Sequence, residues 1–185
     1  MTLPVRVLAT FALCLPLAAH ASDPPLRVVD SVDLTRYAGR WYEAARLPNK
    51  SQDQCTGDVV VHYVLRVDGR IDVVNRCRTS GGKVDEARGI ARKAGDGKNN
   101  ARLEVRFRTG ILPFLRSAWG DYWIIGLGPD YTWAVVGAPS RERLWILSRT
   151  PEISAASYER AIEIARGNSF DVKRVVRTTN SSRAQ

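Results

Sequence analysis

His62, Glu43, Tyr122, Cys55 and Cys77 are the side chains of this 185-residue chain with most to offer chemically. A metal site needs imidazole, thiolate or carboxylate ligands converging at short, repeatable spacings. A general base needs a neighbour that orients it. His62 has neither: no second His, Cys or Asp stands at metal spacing, and the other histidine, His20, belongs to an N-terminal leader. No serine-centred elbow and no glycine-rich phosphate loop occur. His62 therefore reads as a residue of a strand wall, and the chain carries no expected catalytic group, metal or cofactor.

The leader spans 1–21. Arg6 provides a positive start, 7–19 is apolar apart from Thr10, Pro16 interrupts any helix, and Ala19-His20-Ala21 fits a small-x-small cleavage site. The apolar run is too short to cross a bilayer. Cys14 is preceded by Leu13, where a lipoprotein signal requires a small residue, so no lipid anchor is expected. Export places the folded part (22–180) outside the cytoplasm: in a periplasm, associated with an outer membrane, or secreted. With Cys14 gone, Cys55 and Cys77 are left as an even pair in an oxidising compartment, which predicts one disulfide. Closing a loop of about 21 residues stabilises the fold by roughly 3 kcal/mol.

Losing Arg6 lowers the formal charge from +9 to +8. The remaining basic residues are scattered and often alternate with apolar ones, as on the solvated face of strands. No nucleic-acid-binding motif accompanies them.

From Gly39 onward the chain alternates with period two. Strands are expected over 41–47, 58–67, 70–78, 84–93, 103–108, 121–127, 132–136 and 143–149. Cys55 falls in a loop, 51–57. Asp68-Gly69 is the strongest hairpin signal. Ser154 caps one helix that Gly167 is placed to stop, with Tyr158, Ile162 and Ala165 on its buried face. A short last strand is expected within 170–176, then a polar frayed end from 177, with 181–185 disordered. Eight short strands joined by tight turns predict an all-β, up-and-down antiparallel barrel or a sandwich, with a single helix packed outside.

Three separated stretches carry a resemblance: Val32-Asp33-Leu34-Thr35-Arg36-Tyr37-Ala38-Gly39-Arg40-Trp41-Tyr42-Glu43, then Gly128-Pro129-Asp130-Tyr131-Thr132-Trp133-Ala134, then Leu144-Trp145-Ile146-Leu147-Ser148-Arg149-Thr150-Pro151. In order and spacing the chain resembles the lipocalins, most closely the bacterial outer-membrane and apolipoprotein D-like types. The resemblance implies an eight-stranded calyx. It also implies a floor built from Gly39, Trp41, Asp130, Tyr131 and Arg149, with the Arg149 guanidinium over the Trp41 indole. That topology puts Cys55 and Cys77 at the same, open end.

Alternation from an inward Trp41 puts Glu43 and Ala45 in the cavity. Val73 and Asn75 follow from the third strand, Tyr122 and Ile124 from the sixth if Tyr122 faces in, and Trp145 and Leu147 from the Arg149 position that the resemblance implies. Such a lining suits an elongated lipid, its chain among apolar walls and its head near an isolated polar group. Glu43 inside it must be protonated, meet a cationic head group, or pair with an inward Arg or Lys. The segment Ile111, Leu112, Pro113, Phe114, Leu115, Arg116 falls at the open mouth, where it either touches an anionic membrane or folds over the barrel. The expected function is binding, transport or storage of a fatty acid, phospholipid or lysophospholipid in envelope maintenance or stress. Two alternatives stand beside it: a lipid- or prenoid-modifying enzyme using Glu43 or Tyr122, and an interaction module using the mouth loops. Homodimerisation is left open.

Overall fold

The computed structural model describes residues 24–107 and 119–181. The leader and the apolar mouth segment 111–116 lie outside the described residues. A one-turn helix, α1 (Leu34–Tyr37), precedes strands β1 (Gly39–Arg46), β2 (Cys55–Leu65), β3 (Ile71–Thr79), β4 (Val84–Lys93), β5 (Arg102–Phe107), β6 (Gly120–Leu127), β7 (Trp133–Gly137) and β8 (Leu144–Ser148). Helix α2 (Ala155–Gly167) and a two-residue strand, β9 (Val176–Arg177), follow. Consecutive strands pair antiparallel from β2 to β8, and β1 pairs with both β8 and β2. The sheet therefore closes as an eight-stranded barrel with β9 as an extra edge, and the barrel, not the sandwich, is the outcome.

The turns follow local chemistry. Asp68-Gly69 forms the β2–β3 hairpin with Gly69 at φ +78°, a left-handed conformation that glycine adopts without Cβ strain. Gly39, at φ +93°, turns the chain out of α1 into β1. Asp33 caps α1, its carboxylate accepting from the Thr35 and Arg36 amides.

Two cores result. One fills the barrel and includes Trp41, Val61, Tyr63, Val73, Leu103, Ile124 and Leu147. The other lies between the wall and α2, where Ala161, Ile162 and Ala165 meet Ile125, Val135 and Ile146. Ser154 caps α2 as its sequence predicts, its hydroxyl accepting from the Ser157 amide. The helix ends at Gly167, as its sequence predicts, but the capping residue is Asn168, its side-chain amide donating to the Ile164 carbonyl at 3.0 Å before Ser169 turns left-handed at φ +64°.

A bulge in β1 overturns part of the alternation. Glu43 pairs with Leu147, but Ala45 pairs with Ile146, so Ala44 is an extra residue. One inserted residue inverts the facing of everything beyond it. Ala45, expected in the cavity, instead packs outside with Leu47 and Ile146 beneath α2, and Arg46 turns inward opposite Trp145.

Cys55 begins β2, opposite Thr79, instead of lying in a loop. The C-terminal end also departs from expectation. Residues Val172–Arg174 form a 3-10 turn, and only Val176–Arg177 pairs as strand. Beyond it the chain is not frayed through Ser181. The Thr178 amide donates to Ala44 O (3.0 Å), the Asp58 amide to Thr179 O (2.9 Å) and the Val59 amide to Asn180 Oδ1 (3.0 Å). The cause is the limited β1–β2 pairing, which runs only from Gly39↔Tyr63 to Tyr42↔Val60. Amides at the start of β2 would otherwise be orphaned, and the tail supplies their acceptors.

Candidate ligand-binding cavity

The closed end of the barrel is sealed by Trp41, which is fully buried. Its Nε1 donates to Tyr37 O at 2.8 Å, and the Arg149 guanidinium lies 3.8 Å from its ring centroid. Arg149 also donates to Arg40 O (2.8 Å), Arg36 O (2.6 Å) and Tyr131 O (3.3 Å). One planar cation thus ties β8 to α1, β1 and the β6–β7 loop, and its stack on the indole contributes roughly 0.5–2 kcal/mol. Tyr131 adds a hydroxyl that accepts from the Asp33 amide at 2.8 Å. Asp130 lies on the outer surface of this end, 91% exposed and paired with Arg36 at 3.3 Å.

Above the floor is a cavity of about 500 Å³, within the range of small-ligand sites. Val61, Ile71, Val73, Ala91, Leu103, Val105, Phe107 and Leu147 give it apolar walls. Of the residues predicted for this lining, Glu43, Val73, Asn75, Tyr122, Trp145 and Leu147 line it. Ala45 does not, for the reason given above. Ile124 does face inward, but it is completely buried in the packed core with Trp41, below the cavity, so it is not part of the wall. Asn75 Oδ1 is buried without a hydrogen-bond partner among the described residues.

Glu43 is the polar anchor of one side of the cavity, and it is already occupied. Its carboxylate accepts from Arg46 Nη1 (2.7 Å), Gln52 Nε2 (2.7 Å) and Thr178 Oγ1 (2.6 Å). Gln52 in turn accepts from Trp145 Nε1 at 2.8 Å, so the network joins β1, the first mouth loop, β8 and the C-terminal tail. Of the three fates open to Glu43 from sequence, the internal ion pair is the one the structure shows. The bulge makes it possible by bringing Arg46 to the same side of β1.

Deeper in the cavity, three tyrosine hydroxyls meet. Tyr37 Oη lies 2.8 Å from Tyr122 Oη, and Tyr63 Oη lies 2.7 Å from it. Burial pushes all three phenols well above the usual tyrosine range. Each therefore keeps its proton. Tyr63 was legible as a lining residue, since Val59, Val61 and Tyr63 alternate on one face of β2. Tyr37 was not, because it comes from the helical cap.

Cys55 and Cys77 form a disulfide with Cα atoms 5.5 Å apart, and both line the cavity. Replacing both by Ala should lower stability by about 3 kcal/mol, read as a shifted urea midpoint that reductant no longer changes. A midpoint that still falls on reduction would show the bridge is not the cause. Among the described residues no three His, Cys, Asp or Glu side chains are grouped so as to hold a metal ion.

A closed antiparallel barrel with an apolar cavity and a floor sealed by Arg over Trp defines a β-barrel built to enclose a small molecule. The chain belongs to the lipocalin family: a lipocalin-like domain model matches residues 32–180. It is 37% identical over 158 residues to temperature-induced lipocalin-1 of Arabidopsis thaliana, covering 84% of this chain and 83% of that protein. It is 36% identical over 177 residues to the outer membrane lipoprotein Blc of Citrobacter freundii, covering 94% of each. Among solved structures, insecticyanin from the tobacco hornworm Manduca sexta superposes with a TM-score of 0.68 at 22% identity over 88% of each chain. Family membership supports binding of small hydrophobic ligands.

Proposed function

We propose that this protein binds a long-chain lipid, a fatty acid, phospholipid or lysophospholipid, and carries or stores it for envelope maintenance or under stress. The carrying observation is the cavity of about 500 Å³ with apolar walls and few polar groups. Each methylene buried there contributes about 0.8 kcal/mol, so an acyl chain is held without covalent chemistry. Val73, Trp145 and Leu147 contact the chain, while Asn75, whose amide oxygen has no partner among the described residues, and Tyr122 offer hydrogen bonds. Glu43, engaged by three donors, orders the wall and is not itself free for acid–base work. The leader 1–21 directs the chain out of the cytoplasm. The likeness to an outer membrane lipoprotein supports an envelope location.

Native mass spectrometry of gently purified protein tests this reading. A bound lipid released unchanged by organic extraction is the expected result. An empty barrel that captures no added fatty-acid probe overturns it. A lipid turned over during incubation would instead favour enzymatic chemistry. As a second test, Val105→Trp should weaken binding of a fluorescent fatty-acid analogue about tenfold, because the indole displaces roughly two methylenes at ~0.8 kcal/mol each. Unchanged affinity would place the chain elsewhere.

A further inference from the structure

The three tyrosines at the deep end of the cavity do not balance their own protons. Tyr37 comes from α1, Tyr63 from β2 and Tyr122 from β6, and all three line the cavity. Their hydroxyls form a short chain with Tyr122 at its centre, giving two oxygen–oxygen contacts of 2.8 and 2.7 Å. Each phenol carries one proton, and each contact consumes one. Three protons cannot be consumed by two contacts. Whichever way the hydroxyls rotate, one O–H remains without an acceptor among the described residues, where these hydroxyls make no hydrogen bond beyond the two contacts. The surroundings are apolar: Val61, Val73, Leu103 and Leu147 belong to the same packed cluster. A buried donor left unmatched carries its full desolvation penalty, and an acceptor placed in the cavity removes it.

The charge of that acceptor is constrained. Arg149 lies beyond Trp41, outside the cavity floor, and is engaged by backbone carbonyls. Arg46 is committed to Glu43. The basic residues that line the cavity, Arg76 and Arg143, belong to its upper part, near the mouth. An anion at the tyrosine end would be desolvated, and among the described residues the counter-charge that reaches it is Arg149, across the floor and already engaged by backbone carbonyls. A neutral acceptor meets no such penalty.

We propose that the Tyr37–Tyr122–Tyr63 cluster is a recognition subsite for a neutral carbonyl oxygen, of a ketone or an ester, at the deep-lying end of an elongated apolar ligand. This rests on the reading that the cavity holds a hydrophobic ligand, and it adds which end goes in first. Any charged group of the ligand then lies at the mouth.

The test uses the full mature chain and three probes of equal length: a long-chain methyl ketone, its methylidene isostere with CH2 in place of the oxygen, and a methyl ester. Affinities come from displacement of a fluorescent fatty-acid analogue. The infrared carbonyl stretch of the bound ketone and ester is recorded alongside. In the wild type the stretch should move to lower frequency than for the same probe in alkane. The probe showing the larger move identifies the carbonyl class. The Y37F/Y63F/Y122F variant removes every hydroxyl together, leaving no orphaned partner. There the affinity ratio of ketone to isostere should fall roughly five- to tenfold, and the stretch should return to its alkane value. Each single Tyr→Phe variant still leaves at least one unmatched proton, so each should keep most of the ratio.

Equal ratios in wild type and triple variant, or an unshifted stretch in the wild type, overturn the subsite while leaving lipid binding intact. Wild-type protein that binds none of the probes overturns the underlying reading and the subsite with it. Because the wild-type stretch needs no variant, misfolding of the triple variant does not protect the proposal. Abolition of the preference by Y122F alone would refute the shared-proton arrangement.

Discussion

Trp41→Ala should lower the free energy of unfolding by about 3–5 kcal/mol, the range for removing a large aromatic from a packed interior. Three contributions act together. The side chain is fully buried, so its whole apolar area is lost. Its ring packs on Tyr37 at 5.0 Å between centroids and under the Arg149 guanidinium at 3.8 Å. Its Nε1 satisfies Tyr37 O. The space left behind adjoins the existing cavity, so neighbouring side chains have little reason to collapse into it. Equilibrium urea unfolding followed by far-UV circular dichroism measures the loss. A cost below about 1 kcal/mol would mean that the floor is held by α1 and the Arg149–carbonyl bonds without the indole. Arg149→Lys offers a milder control: the point charge remains, but the planar stack and the multiple carbonyl contacts cannot all be kept.

Glu43→Leu should cost a similar amount, about 3–5 kcal/mol, for a different reason. Glu43 is 3% and Arg46 14% exposed, so the pair is almost entirely removed from water. Deleting the carboxylate leaves the guanidinium buried without its counter-charge, and Arg46 Nε already lacks a partner among the described residues. Gln52 and Thr178 lose an acceptor in the same step. Adding Arg46→Leu should recover most of the loss, because two apolar side chains of similar reach replace the pair without a stranded charge. Urea unfolding of the two singles and the double closes a thermodynamic cycle. A double variant as unstable as Glu43→Leu would show that the loss comes from Gln52, Trp145 and the tail, not from the isolated charge. Thr178 is pinned to the Glu43 carboxylate, while Asn180 donates to the Glu43 main-chain carbonyl that the variant keeps. The single variant should therefore also speed amide exchange at Asp58, whose acceptor Thr179 follows Thr178, more than at Val59, whose acceptor is Asn180.

These effects separate what was legible in the residues from what was not. Each of the eight barrel strands was recoverable from alternation to within a few residues, because a wall with one face toward a core must alternate with the pleat, whereas the expected last strand at 170–176 was not. The hairpin at Asp68-Gly69, the cap at Ser154 and the Cys55–Cys77 bridge rest on equally local or compositional signals. For Val73, Asn75, Tyr122, Trp145 and Leu147 the same alternation placed the side chain on the cavity wall.

Ala45 failed because alternation assumes an uninterrupted ladder. One bulged residue, Ala44, reverses the facing beyond it, and nothing in Glu43-Ala44-Ala45-Arg46 announces a bulge. Ile124 failed for a subtler reason: alternation gives direction but not height, so it cannot separate a wall residue from one packed into the floor.

The residues alone determine eight alternating strands, their turns, the C-terminal helix and an even cysteine pair, because period-two burial, glycine at positive φ and helix capping act over a few residues. Closure into a barrel is seen in the pairing of β1 with both β2 and β8. Only the tertiary structure decides where Arg46 points, what the C-terminal tail is for, and that Tyr37, Tyr63 and Tyr122 share one site. Those depend on contacts between groups up to 137 residues apart, which register, closure and the path of the tail bring together. No local pattern encodes them.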